Sequence, residues 1–477
     1  MAKRDGISRL TMKAMGIFGG VQAVGVLCSI IRTKLVAIWI GTLGVGLFGL
    51  FNNALEMLNI ATNLGIRSSS VRDISQATDG NDTKLIGRII TVVRRWSLWL
   101  GLAGAILTIS LAPVLSTVTF GDEAHIWGFV ALSSAVLLMA ITNGEYAVFQ
   151  GLARLKKLAH VTLMGTITGL VVSIPLFYWL REASVLPSII AYAASIALFA
   201  TILRNKEYPR EKVSVHETFS MGKAFVSLGI FMTIGNFVTI LATYLFSAWL
   251  NQQAGTSEVG LYQAGYTLIN KYTGLILTAL GMEYYPRLAK VAESPSRLRI
   301  YVSQEINIAL LVLAPVITLF VLLRTPVVTI LYSSEFNAIL PFIAWGMLGT
   351  LFRAVSWCMA FVILAKGSGK IYLVTESLSA AVGLALNIVC YSLWGLTGLG
   401  WAFIVWYIVY TIIIGVVYFG IYHLRLSGAT AMNMLWTLAV SVAVVVAMEC
   451  GNIALAAIAT AIATAAGIHL LVKQWKR

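Results

Sequence analysis

The chain has 477 residues, 59% of them hydrophobic and only 11% charged, with a formal net charge of +15. Soluble domains are roughly 45–50% apolar and about 25% charged, so this composition excludes a water-soluble globular enzyme, a disordered chain and a disulfide scaffold. It implies a polytopic membrane protein.

Taken in chain order, apolar stretches long enough to cross a bilayer as helices fall near 14–40, 42–65, 90–115, 127–149, 159–180, 187–203 and 222–250. They continue near 259–284, 305–323, 338–365, 371–393, 397–421, 434–449 and 453–472. Each approaches the roughly 20 residues that a spanning helix needs. The expectation is an all-α polytopic membrane protein of about 14 transmembrane helices. No long polar run separates the stretches, and the opening Met1-Ala2-Lys3-Arg4 is unlike a cleaved signal peptide.

Positive charge alternates from loop to loop. One set of loops carries clusters such as Lys3, Arg4, Arg9 and Lys13, then Arg154, Lys156 and Lys157, then Arg204, Lys206, Arg210 and Lys212. The other set holds only Arg181 and Arg324. Basic loops stay cytoplasmic, so both termini are expected inside and the span count even. The +15 is then mostly a topology signal, and nucleic acid is not an expected partner.

The sequence repeats itself in parallel. Val45-Gly46-Leu47-Phe48 recurs in the second half as Val259-Gly260-Leu261-Tyr262. Ala112-Pro113-Val114 with Phe120-Gly121-Asp122-Glu123 recurs as Thr325-Pro326-Val327 with Tyr332-Ser333-Ser334-Glu335. The expected organisation is an N-terminal six-helix lobe at 1–203, a cytoplasmic linker at 204–221 and a C-terminal six-helix lobe at 222–422. An additional helix pair with a basic tail follows at 423–477. Two like-oriented bundles in parallel repeat suit a transporter, with the substrate between them.

Six basic residues lie in or near the apolar stretches: Arg32, Lys34, Arg94, Arg95, Lys271 and Arg353. A charge at mid-bilayer costs several kcal/mol unless it faces a cavity or a partner. Lys271, Arg353 and Arg32 lie deep. Arg94 and Arg95 lie near the basic end of their span, where lining a cavity and anchoring the interface are both open. Asn52, Glu56, Asn59 and Asn63 share one helical face, and Gln263, Thr267 and Lys271 share one on the equivalent span. Glu145, beside Asn143, is a second buried acid, either a structural ion pair or an ion-coupling carboxylate. Cations outnumber Glu56 and Glu145 in this region, which favours an anionic, phosphate-bearing ligand over a cationic one.

Other chemistries lack their residues. There is no G-x-x-x-x-G-K-[ST] loop for nucleotide hydrolysis, and Gly367-Ser368-Gly369-Lys370 lacks the upstream glycine. The outer loops offer little beyond Asp122, Glu123 and His125, too little for a membrane glycan polymerase. Cys28, Cys358, Cys390 and Cys450 fit no metal spacing and read as packing residues. No resident cofactor or metal is expected.

Arg32-Thr33-Lys34-Leu35-Val36-Ala37, the following Gly41-Thr42-Leu43-Gly44-Val45-Gly46-Leu47-Phe48-Gly49, and Glu283-Tyr284-Tyr285-Pro286-Arg287-Leu288 resemble bacterial O-antigen flippases of the Wzx type. These belong to the multidrug/oligosaccharidyl-lipid/polysaccharide flippase superfamily. The resemblance spans about residues 10–422. It implies two six-helix lobes around a central cavity in the bacterial inner membrane. It also implies transport of an undecaprenyl-diphosphate-linked oligosaccharide from the cytoplasmic to the periplasmic leaflet, with no enzymatic step. By the same resemblance Arg32, Lys34 and Lys271 line the cavity, and Arg353 joins them on depth. Glu56 or Glu145 would couple transport to protons or sodium. A polysaccharide polymerase and chain-length machinery are the implied partners. The last two stretches go beyond the twelve spans of many such flippases and bring the lipid II flippase branch in as an alternative. A cation-coupled multidrug exporter is another.

Overall fold

The computed structural model describes residues 2–63, 65–79, 82–204, 208 and 211–475; within these, the side chains of 2–19, 68, 79, 222–232, 271–272 and 473–475 are outside the description. Among the described residues there is no β-strand. Among the described residues eleven segments are long and apolar enough to cross a membrane, and the longest two, of 48 and 53 residues, are each interrupted by a break. Helices are the expected answer to lipid, which offers no partner for an unpaired backbone group.

The chain divides into two compact units, Met1–Gly260 and Leu261–Arg477. The first contains α1 (Ala2–Trp39), α2 (Gly41–Asn63), α3 (Ile66–Asp79), α4 (Thr83–Phe120), α5 (Ile126–Gly151), α6 (Leu155–Leu180), α7 (Val185–Ile202) and α8 (Val215–Ala254). Helix α9 (Thr256–Ala289) begins at its end. The second continues with α10 (Pro295–Leu322), α11 (Arg324–Leu331), α12 (Leu340–Ala365), α13 (Gly369–Gly415), α14 (Gly428–Glu449) and α15 (Ile453–Trp475). Within α13 the backbone breaks at Gly395, at φ 58°, so this one run is two spans in series.

The core of the first unit is built by α2, α5 and α7, with Phe51, Leu55, Phe129, Leu132 and Ile189 all buried. Polar seams fix the helices where apolar burial gives little direction in lipid. Tyr244 of α8 pairs with the Thr119 hydroxyl at 2.6 Å, and Asn251 donates to the Thr119 carbonyl at 2.9 Å. Asn53 donates to Ser247 at 3.0 Å.

The sequence repeat has a structural counterpart at the turns that open α2 and α9. Gly41 and Gly255, separated by the interval of the repeat, both take positive φ, at 77° and 87°. Elsewhere the halves differ. Helix α4 runs unbroken through Pro113, whereas the corresponding stretch of the second half breaks at Leu323 into α10 and α11.

Three features depart from the reading of the sequence. Residues 66–79 form a helix of their own, α3, too short and too polar to span; its Ile66, Ile74 and Ala77 are buried. Arg324, expected in an outer loop, starts α11 and is 9% exposed. Part of the expected linker is already helical, because Ser214 caps α8 by accepting from the Glu217 N–H at 3.1 Å. Ser214 and Glu217 hold the positions of a capping box.

Helices α14 and α15 pack on α10. Asn433 donates to the Asn307 side-chain oxygen at 3.0 Å. Glu449 pairs with Arg324, whose Nη1 also donates to the Leu340 carbonyl at 3.3 Å. At Gly467 a Cβ would lie 3.0 Å from the Leu311 carbonyl, so this glycine lets α15 approach α10 closely.

Candidate functional site

Arg32 lies in the C-terminal half of α1 and lines a cavity of about 220 Å³ in the first unit. Asn52 of α2, Asn143 and Tyr146 of α5, and Tyr192 of α7 line it with Arg32. The guanidinium lies between two rings, 4.7 Å from the centroid of Phe48 and 4.7 Å from that of Tyr192. Its Nε–H is buried and has no acceptor. A cation between aromatic faces is stabilised by about 2 kcal/mol when desolvated. The faces are taken, so the in-plane N–H edge is what a ligand meets, and that edge suits phosphate and carboxylate oxygens.

The polar stripe of α2 divides. Asn52 spends its amide on the Phe48 carbonyl at 2.7 Å and faces the Arg32 cavity. Asn59 accepts from Asn63 and from Asn143, the latter at 3.3 Å, joining α2 to α5. Glu56 is exposed. Beneath the cavity Tyr146 is backed by Arg67 of α3, whose guanidinium lies 5.1 Å from the ring and whose Nε donates to Gln150 at 3.3 Å. Burial draws the Arg67 pKa below its ordinary value, and the neighbouring Tyr146 opposes that.

Glu145 is 2% exposed and held by two arginines. Arg94 donates Nε at 2.7 Å and Nη2 at 2.9 Å to its two oxygens, and Arg204 donates Nη2 at 3.0 Å. Of the two readings of Glu145, the geometry is that of an ion-paired carboxylate. Arg95, next along α4, reaches another way, donating to the Val213 carbonyl at 2.6 Å and to Thr218 at 3.0 Å. It ties α4 to the start of α8.

In the second unit Arg353 of α12 donates Nη1 to Asn270 of α9 at 2.8 Å and lies 5.8 Å from the Tyr407 ring centroid. Gln263 and Thr267 are half-buried on α9. Lys34 is half-buried on α1. The side chain of Lys271 lies outside the described residues.

Sequence reasoning missed Tyr192, Asn270 and Arg204. Only a fold could bring Tyr192 to Arg32, because they are far apart in the chain. Arg204 reads as one of a loop's basic residues, and nothing local marks its pairing with Glu145. No group of three or more His, Cys, Asp or Glu arranged to hold a metal occurs among the described residues.

Residues 44–341 match the family described as polysaccharide biosynthesis protein. The lipid III flippase of Escherichia coli (strain K12) is 23% identical over 354 residues, covering 72% of this chain and 82% of that protein. Among solved structures, the lipid II flippase MurJ in an inward closed conformation superposes with a TM-score of 0.72 at 12% identity, over 98% of this chain and 100% of that one. An inward-facing multidrug resistance transporter of the MATE family, MOP superfamily, superposes with a TM-score of 0.68 at 12% identity, over 87% of this chain and 95% of that one. The fold is that of the MOP transporters.

Proposed function

The chain belongs to the family of polysaccharide biosynthesis proteins, and on that premise we propose that it is a flippase rather than an enzyme. Its cargo is an undecaprenyl-diphosphate-linked oligosaccharide, an O-antigen or related surface-polysaccharide repeat unit. It carries that lipid from the cytoplasmic to the periplasmic leaflet of the bacterial inner membrane by alternating access. Both termini are cytoplasmic and the spans number fourteen.

The observation that carries this reading is Arg32, deep in α1, held between Phe48 and Tyr192 with an unsatisfied N–H at a mostly apolar cavity that also presents Asn52, Asn143 and Tyr146. A buried cation with an open donor edge is costly in a membrane unless an anion visits it. Arg32 and Lys34 in the first unit, and Lys271 and Arg353 in the second, are the cations that serve the diphosphate. Asn52, Asn59, Asn63, Gln263 and Thr267 offer hydrogen bonds to sugar hydroxyls. Glu56, exposed on α2, is better suited than the ion-paired Glu145 to couple transport to protons or sodium. The E. coli lipid III flippase supports a lipid-linked cargo.

The test pairs cells with liposomes. Arg32→Ala and Arg353→Ala together abolish surface polysaccharide display while the protein still reaches the membrane. The purified wild-type protein moves lipid-linked oligosaccharide across liposomes with no change in glycan mass. Normal display by the double variant sinks the reading.

A second reading is a peptidoglycan-precursor flippase. It is favoured by the end-to-end superposition on the lipid II flippase and by the docked α14–α15 pair. Rescue of cells depleted of their lipid II flippase, with no effect on surface polysaccharide, selects it.

A further inference from the structure

A second cavity in the first unit, of about 480 Å³, is lined by Arg94, Arg95, Glu145, Arg204, Glu211 and Lys212, with Ser97 and Gly144 behind them. It is separate from the Arg32 cavity and shares no lining residue with it. Four cations face two carboxylates, so the described lining is net positive. Glu145 takes three of the guanidinium N–H groups, and its burial fixes how the forks of Arg94 and Arg204 are aimed. The Arg204 Nε–H is buried and finds no acceptor. Lys212 is exposed at the rim.

Depth identifies the ligand. Helix α4 has 38 residues, about 57 Å at 1.5 Å per residue, well beyond a hydrocarbon core of about 30 Å. Its first turns therefore project from the lipid on the side of the basic loops. Trp96 and Trp99 cluster with Phe219, their rings 5.3 and 6.2 Å from it, and Trp96 donates Nε1 to the Thr218 carbonyl at 2.8 Å. Tryptophans of this kind mark the level of lipid headgroups. Arg94 and Arg95 are the residues just before them, so the cavity opens where phosphates of a bilayer lie.

We propose that this Arg94–Arg204–Lys212 cavity is a phosphate site that takes the headgroup of a phosphate-bearing lipid, apart from the transport cavity. The diphosphate of a lipid-linked saccharide and the phosphodiester of an anionic phospholipid share the required chemistry. The Arg204 Nε–H and the Lys212 ammonium donate to the phosphate oxygens, and Glu145 acts as a positioning residue that keeps the two guanidiniums splayed toward the opening.

The experiment uses the full chain in phosphatidylcholine nanodiscs, in an Arg32→Gln/Lys34→Gln/Lys271→Gln/Arg353→Gln background, so that the proposed transport cations do not contribute. Inorganic pyrophosphate is titrated by calorimetry. It binds, and Lys212→Gln weakens it at least fivefold. Arg204→Gln weakens it further, and because Arg204 also holds Glu145, the exposed Lys212 decides the outcome if Arg204→Gln lowers the Tm. Adding phosphatidylglycerol to the nanodiscs separates the sources. Competition that disappears in Lys212→Gln assigns the site to phospholipid, and pyrophosphate binding without competition assigns it to the diphosphate. Absence of pyrophosphate binding in this background, or an unchanged Kd in Lys212→Gln, overturns the proposal and leaves the transport reading untouched.

Discussion

Gly46 and Gly260, equivalent positions of the sequence repeat, close on each other within the first unit like two halves of one joint. A Cβ on Gly46 would lie 1.9 Å from the Thr256 carbonyl oxygen, and a Cβ on Gly260 would lie 1.9 Å from that of Thr42. Each Cβ would also come within 3.0 Å of the other glycine's backbone nitrogen. Thr42 and Thr256 are themselves equivalent in the repeat, so the contact recurs with the two segments exchanged. The obstructing atoms are backbone and cannot rotate away. Gly46→Ala and Gly260→Ala should each destabilise by about 1–3 kcal/mol, the usual range for forcing carbon into a closed site. Thermal melts in detergent should show both with a Tm several degrees low. Gly20→Ala, in open space on α1, is the control and should melt at or slightly above wild type. A wild-type Tm for Gly46→Ala would show that the approach is not real.

The Arg94–Glu145–Arg204 cluster invites a thermodynamic cycle. Glu145→Gln leaves two guanidiniums facing an uncharged amide in a site that is 2% exposed at Glu145. Breaking a buried pair from one side costs about 3–5 kcal/mol. Arg204, more exposed at 28%, should cost less when changed to Gln. The double variant should be less destabilised than the sum, because once Glu145 is neutral Arg204 has no carboxylate to lose. Chemical denaturation of the three proteins checks this. Strict additivity would mean the two side chains do not share one network.

How much of this is legible in the sequence depends on the range of the signal. The helical class and the parallel repeat are legible because lipid forces local solutions: long apolar runs, and a glycine-bearing turn used once in each half. Helix α3 is hidden, since Ile66, Ile74 and Ala77 are separated by polar residues and its 14 residues fall short of a span. The deep cations are legible as anomalies, but their partners are not. Arg32 meets Tyr192 and Arg353 meets Asn270 only through packing between helices distant in the chain. Arg324 escapes because a lone arginine beyond an apolar run looks like an outer loop, and Glu449, its counter-ion, lies 125 residues away.

The aromatic sandwich around Arg32 separates charge from shape. Arg32→Lys keeps the charge but loses the planar edge and the stacking on Phe48 and Tyr192. Transport of lipid-linked oligosaccharide in liposomes should fall at least tenfold in Arg32→Lys, with the Tm within a few degrees of wild type. Tyr192→Leu should lower transport less, since Phe48 still covers one face. Full transport by Arg32→Lys would reduce the site to a point charge, with no role for the planar N–H edge.

The pairing of Arg324 with Glu449 is what should hold the last helix pair at the end where α14 turns into α15. Arg324 lies well inside the protein at 11% side-chain exposure, Glu449 reaches it from the surface at 31%, and Arg324 also satisfies the Leu340 carbonyl. Nearer the start of α14 the contacts are hydrogen bonds between neutral partners, Asn433 to Asn307 and the Ser427 N–H and Thr430 hydroxyl to Ser303, each weaker than an ion pair. Glu449→Gln should therefore loosen α14 and α15 without unfolding α10 and α12. Hydrogen exchange on the protein in nanodiscs should show faster exchange in 440–455 and unchanged rates in 340–365. Arg324→Gln should do the same and also expose the Leu340 carbonyl, so its effect should reach the first turn of α12. Uniformly faster exchange across the second unit would mean instead that this ion pair supports the whole bundle and that α14–α15 is not a separable addition to it.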